Sequence, residues 1–110
     1  MTTFSQLNLH PQLVQAVEAL GFTEPTPIQS AMIPVMLAGQ DVIGQAQTGT
    51  GKTAAFALPI LQRLQPDANH IQCLVLTPTR ELAVQVAKAM HDFGRPLATR
   101  VLPVYGGEPY

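Results

Sequence analysis

Asp41-Val42-Ile43-Gly44-Gln45 runs directly into Ala46-Gln47-Thr48-Gly49-Thr50-Gly51-Lys52-Thr53, and that octet opens onto Ala54-Ala55-Phe56-Ala57-Leu58. The first five residues read as a strand, the octet as a Gly/Thr loop, and residues 52–64 as a helix that Pro59 should kink. A strand, a glycine-rich loop and a helix in that order make a grip for phosphate. Glycines let backbone N–H groups turn inward toward phosphate oxygens, and the helix adds the positive end of its dipole. Gln47, Thr48, Gly49, Thr50 and Gly51 are the expected cradle. Lys52 is expected to reach the β- and γ-phosphates of a nucleotide, and the Thr53 hydroxyl to ligate Mg2+. The usual pattern begins with glycine where this chain has Ala46, and a small residue fits there too. The competing reading is a flexible turn that matches by chance, against which the flanking strand and helix both argue.

Working outward, the apolar spacing predicts three more helices. Leu13, Ala16, Val17 and Leu20 mark one face of a helix over 11–20, with Pro11 suited to its first position and Gly21 to its stop. Thr26 is placed to cap a second helix that starts at Pro27, runs to about Leu37, bends at Pro34 and ends at Gly39. Pro78-Thr79 opens a helix lasting to about Phe93, with Leu82, Val86, Met90 and Phe93 on one face and Gly94 as its stop. Ile71 to Thr77 is a continuous apolar run that reads as a buried strand, and Val101 to Tyr105 as a third short one. Strands alternating with helices predict an α/β fold: a parallel β-sheet flanked by helices, joined by right-handed crossovers.

Composition agrees with that class. The chain has 110 residues, 46% of them hydrophobic and 12% charged, where about 25% charged is usual. The formal net charge is -1, so nucleic-acid binding cannot be argued from bulk charge. All basic residues lie from Lys52 onward, which places any polyanion contact in the second half. Cys73 is the single cysteine, so no internal disulfide is expected, and its apolar run suggests a buried thiol. No basic leader and no apolar run of about 18 residues is present, so neither a signal peptide nor a membrane span is expected. His10, His70 and His91 share no metal-ligand spacing.

The loop does not say which nucleotide it holds. Upstream sits Gly21-Phe22-Thr23-Glu24-Pro25-Thr26-Pro27-Ile28-Gln29. A glutamine amide donates and accepts at once and so matches the N6/N7 edge of adenine. Phe4 and Phe22 are candidate rings to stack on the base. Taken alone, a glutamine after prolines is more often an exposed helix residue.

Together these segments resemble the start of a DEAD-box RNA helicase, most closely the bacterial cold-shock type. The family's adenine-recognition (Q) motif matches Gly21 to Gln29, and its isolated upstream aromatic matches Phe4. Its phosphate loop matches Ala46 to Thr53, its first RNA-contact motif matches Pro78-Thr79-Arg80-Glu81-Leu82-Ala83, and its glycine doublet matches Gly106-Gly107. Glu24 departs from the family, where many members carry a basic residue. The resemblance implies residues 1–30 as the adenine-recognition region and 31–110 as the N-terminal part of a truncated RecA-like phosphate-loop domain. It implies ATP and Mg2+ as cofactors, RNA held by backbone contacts at Pro78, Thr79, Arg80, Gly106 and Gly107, and a cytoplasmic location. The family's acidic and Ser-Ala-Thr motifs are not in this sequence, and neither is the second RecA-like domain. The 110 residues alone are therefore expected to be inactive.

Bottom-up, Arg80 sits where a strand ends and a helix begins, the place where open α/β sheets bind ligands. A helix N-terminus beside an arginine makes a phosphate site without base contacts. The plain alternative is that Thr79 caps the helix and Arg80 is solvated. Gly106-Gly107 permits a close backbone approach, or is simply a turn. Two other classes remain open at this point: a small-molecule kinase or other phosphate-loop ATPase, and a non-catalytic binding piece.

Overall fold

The computed structural model describes residues 3–45, 51–65 and 67–106. Gln47, Thr48, Gly49, Thr50 and Gly107 of the expected sites lie outside the described residues. The helices are α1 (Pro11–Ala19), α2 (Pro27–Leu37), α3 (Lys52–Arg63) and α4 (Arg80–Gly94), with 3-10 turns at Phe4–Leu7 and Arg95–Leu97.

Local chemistry sets their ends. Pro11 and Pro27 open α1 and α2, where a missing N–H costs nothing. α1 closes on left-handed Gly21, with Gly21 N–H donating to Glu18 O and Phe22 N–H to Val17 O. α2 closes the same way on Gly39, with bonds to Met36 O and Val35 O. Both are paired reverse bonds that satisfy the last carbonyls of a helix. α4 departs from the expectation. Gly94 is helical rather than left-handed, and the chain continues through Arg95–Leu97 before Ala98 turns at φ 55. Gly94 is needed for space instead: a Cβ there would press on Thr99 Oγ1 at 2.7 Å and Leu61 Cδ2 at 3.0 Å.

The core gathers around α3. Ala54, Ala57, Leu58 and Leu61 are buried on it, and α2 and α4 pack on either side. The contact between α2 and α3 is the most extensive among the described elements. α1 adds Leu13 and Val17, α2 adds Ile33, and α4 adds Val86, Met90 and Phe93. Leu20 and Leu82, each expected on a buried face, are exposed.

The expected sheet does not form among the described residues. Segments 41–45, 71–77 and 101–105 lie where strands were expected, but none is part of a strand ladder. Ile43 is 94% exposed and Leu76 84%, while Val75 and Val101 are half-buried against the helices. The helices thus cover one side of these segments and leave the other open. An apolar run records that a segment is suited to burial on two faces; it does not supply the neighbouring strand whose N–H and C=O groups complete a ladder. Cys73 shares this environment and is exposed, not the buried thiol its apolar run suggested. Partial desolvation still pushes its thiol pKa up.

Candidate functional site

α3 begins at Lys52, immediately after Gly51, whose φ is +83. That left-handed turn suits glycine, and a second constraint adds to it: a Cβ at position 51 would collide with Gln29 Nε2 and sit 3.3 Å from Thr26 Cγ2. The first turn of α3 carries no acidic residue and no side-chain cap, so no carboxylate of that turn offsets the positive end of its dipole. Lys52 is exposed and Thr53 half-buried in that turn. An anion at the loop would meet this positive helix end and the Lys52 ammonium.

Gln29 is the one buried polar residue of the described chain, 0% exposed. Its Oε1 accepts from Thr26 N–H at 2.8 Å, while Thr26 Oγ1 accepts from Gln29 N–H at 3.4 Å. This reciprocal pair is a capping box at the start of α2. Gln29 Nε2 donates to Gly51 O at 3.1 Å. The amide therefore ties the Pro-rich segment to the end of the phosphate loop across 22 positions of sequence. One lone pair and one N–H of the amide stay uncommitted among the described residues.

The two candidate stacking rings differ. Phe4 is 1% exposed, part of the core with no face open to a ligand in this arrangement. Phe22 is half-buried and meets Phe93 edge-on, centroids 5.8 Å apart at 61°. Among the described residues no cluster of three His, Cys, Asp or Glu is arranged to hold a metal.

The second expected site comes together at the start of α4. Thr79 caps the helix, its Oγ1 accepting from Leu82 N–H at 3.1 Å, and Thr77 Oγ1 donates to Thr79 O at 3.1 Å. Arg80 is exposed. Its Nη2 donates to Gly106 O at 3.3 Å, and its guanidinium carbon stands 5.4 Å from the centre of the Tyr105 ring. Thr77, Pro78, Thr79, Arg80, Val104, Tyr105 and Gly106 share an open cleft of about 390 Å³. A Cβ at Gly106 would meet none of the described residues within 4 Å. Thr79 is the helix cap that the plain reading expected, and Arg80 is exposed with its guanidinium bonded to Gly106 O. Tyr105 was not among the expected residues.

The family model "DEAD/DEAH box helicase" matches residues 26–110. The DEAD-box ATP-dependent RNA helicase CshA of Bacillus cereus (strain ATCC 10987 / NRS 248) is 52% identical over 108 residues, which span 98% of this chain and 21% of that protein. Among solved structures, RNA-helicase Prp28 from Chaetomium thermophilum bound to ADP superposes with a TM-score of 0.88 at 39% identity, over 99% of this chain and 28% of that one. S. cerevisiae Dbp5 bound to RNA and ADP BeF3 gives 0.77 at 35% identity, over 87% of this chain and 25% of that one. The chain thus spans about a fifth of the curated relative and 25–28% of these two solved structures. The chain, matched by the family model over residues 26–110, belongs to the DEAD/DEAH box helicases.

Proposed function

We propose that these residues are the front part of an ATP-dependent RNA helicase, supplying nucleotide and RNA contacts to a longer protein with a second RecA-like domain. The observation that carries the reading is the Gln29–Gly51 hydrogen bond. It joins the segment expected to read adenine to the loop expected to hold phosphate, so one ligand can engage both. A generic phosphate-loop kinase has no need of this link, nor of the Arg80–Gly106 contact beside α4.

In this reading Gln47 to Thr53 hold the ATP phosphates, and Lys52 and Thr53 are the catalytic pair of the loop. Lys52 neutralises developing phosphate charge, and Thr53 binds the Mg2+ that would supply further charge stabilisation. The acid-free first turn of α3 fits an anion, and the exposed Lys52 fits its charge. Gln29 is the residue assigned to the adenine edge, and its fully buried amide has to become accessible for the base to pair with it. Phe22 is the accessible ring for stacking, while Phe4, the other candidate, is buried in the core. Pro78, Thr79, Arg80, Gly106 and Gly107 hold RNA through its phosphates and sugars, without regard to base sequence. Residues 1–30 form the adenine-recognition region and 31–110 the RecA-like part, in a cytoplasmic protein. No helix among the described residues is long and apolar enough to cross a membrane.

The test is titration of the full-length protein with fluorescent ATP and GTP analogues. Adenine is expected to bind roughly 5- to 150-fold more tightly, the discrimination of about 1–3 kcal/mol that a bidentate amide gives. Equal affinities overturn the adenine reading.

A further inference from the structure

Gly44, in the segment that leads into the phosphate loop, lies under α2. A Cβ on Gly44 would overlap Met32 Sδ and would come within 3.2 Å of both Met32 Cε and Ile28 Cδ1. Glycine inside an extended segment often marks such a close approach of another element. At the far end of the loop, Gln29 donates to Gly51 O, and a Cβ on Gly51 would strike the same amide. Met32 follows Ile28 by four positions and Gln29 by three, the spacings that make side chains neighbours on a helix surface. That single side of α2 therefore touches the chain just before the loop and just after it.

We propose that α2 is a two-point brace that sets the span of the phosphate loop, with Met32 on Gly44 as its second, apolar point and as a positioning residue for nucleotide binding. The inference rests on the reading of residues 46–53 as a nucleotide site. Gln29 supplies direction through a hydrogen bond, and Met32 supplies distance through contact. Bulk added at Gly44 meets the flexible ends of Met32 and Ile28, and in this scheme the part of the clash that those side chains do not relieve moves α2 and draws Gln29 off Gly51. Bulk removed from Met32 gives the room back. Neither Met32 nor Gly44 touches nucleotide in this scheme. They act only through the separation of the loop's ends.

The experiment uses the full-length protein and a fluorescent ADP analogue with Mg2+. Gly44→Ala is expected to weaken binding about tenfold, within the usual cost of overpacking, and Met32→Ala about threefold. The double variant is expected to bind better than Gly44→Ala alone, to within about threefold of the native chain, because the two changes share one contact. In steady-state turnover, Gly44→Ala is expected to raise the nucleotide KM while leaving kcat at saturation unchanged, a split that general destabilisation does not produce. If Gly44→Ala does not fold, Met32→Phe adds bulk to the same contact from the helix side and is expected to show the same rise in KM. Native affinity in Gly44→Ala, or a double variant no better than Gly44→Ala, overturns the brace. Lys52→Ala separates the two levels. Lost binding there with native binding in Gly44→Ala refutes the brace alone. Native binding in Lys52→Ala refutes the nucleotide site on which it rests.

Discussion

Replacing Gln29 by glutamate isolates the bond between α2 and the phosphate loop. The glutamine amide does two jobs through two atoms: Oε1 accepts from Thr26 N–H, and Nε2 donates to Gly51 O. In Gln29→Glu one carboxyl oxygen can still accept from Thr26, so the capping box survives. The other oxygen, when ionised, faces the Gly51 carbonyl at about the distance the amide nitrogen holds now, 3.1 Å. Two acceptors then oppose each other at a site that is 0% exposed. Leaving buried polar groups unpaired costs about 1–3 kcal/mol, and more for a charge. Gly51 O keeps its bond from Ala55 N–H at 3.2 Å, so the loop end is not orphaned and the cost falls mainly on the carboxylate. The cheapest relief is displacement of the loop end, so nucleotide affinity is expected to fall roughly 5- to 150-fold at pH 8.

The loss is also expected to depend on pH. Burial and the opposing carbonyl both disfavour the charged form, so the introduced carboxyl has a raised folded pKa. When protonated it donates to Gly51 O as the amide does. The penalty is therefore absent below the ordinary glutamate value of about 4.3, sets in above it, and is complete once pH passes the raised folded value. Titration with a fluorescent adenine nucleotide at pH 5.5 and pH 8, in the native protein and in Gln29→Glu, checks this. Native affinity in Gln29→Glu at pH 8, or a loss identical at both pH values, refutes the reasoning.

Arg80→Ala is expected to weaken RNA binding similarly for unrelated sequences and to lower the salt slope by about one phosphate, read by titration across ionic strengths; a loss confined to one sequence counts against it. Tyr105→Ala is expected to cost about two- to fivefold in RNA affinity by freeing the guanidinium, and Tyr105→Phe to cost less because it keeps the ring that Arg80 stands over. Equal loss in both Tyr105 variants would point to the hydroxyl instead. The purified 110-residue chain is expected to release no phosphate from ATP in an RNA-stimulated manner, since the first turn of α3 has no carboxylate to orient magnesium or water. RNA-stimulated release that disappears in Lys52→Ala would contradict this.

The helices were legible because their signals are local. Prolines at 11 and 27, glycines at 21 and 39 and the spacing of Leu13, Val17, Val86 and Met90 act within one or two turns. The sheet was not legible to the same degree, because the run Ile71 to Thr77 carries no information about which strand lies beside it. Gln29 was legible as a residue of the site, but its capping role was passed over although Thr26-x-x-Gln29 is a capping-box pattern. Arg80 and Gly106 were each named from the family resemblance, but their meeting, 26 positions apart, and the Tyr105 ring under Arg80, 25 apart, leave no local sign. Gly94 shows a related failure: glycine at a helix end suggested a left-handed stop, while the true demand was space for Thr99 and Leu61.

The open side of Ile71-Gln72-Cys73-Leu74-Val75-Leu76-Thr77 bears on how this protein is made and kept soluble. The seven residues hold no charge, proline or glycine, and Ile71, Leu74 and Leu76 face outward. Such a stretch is a template for cross-β stacking between chains. The nearest charge after it is Arg80 and the nearest before it is Asp67, so no gatekeeper interrupts the run. During synthesis this segment emerges before any later strand can cover it, and at 5–20 residues per second roughly that interval is an opening for self-association. A ribosome-bound chain is protected there by holdase chaperones, which bind unfolded apolar segments. Expression of these residues by themselves would make the same opening permanent.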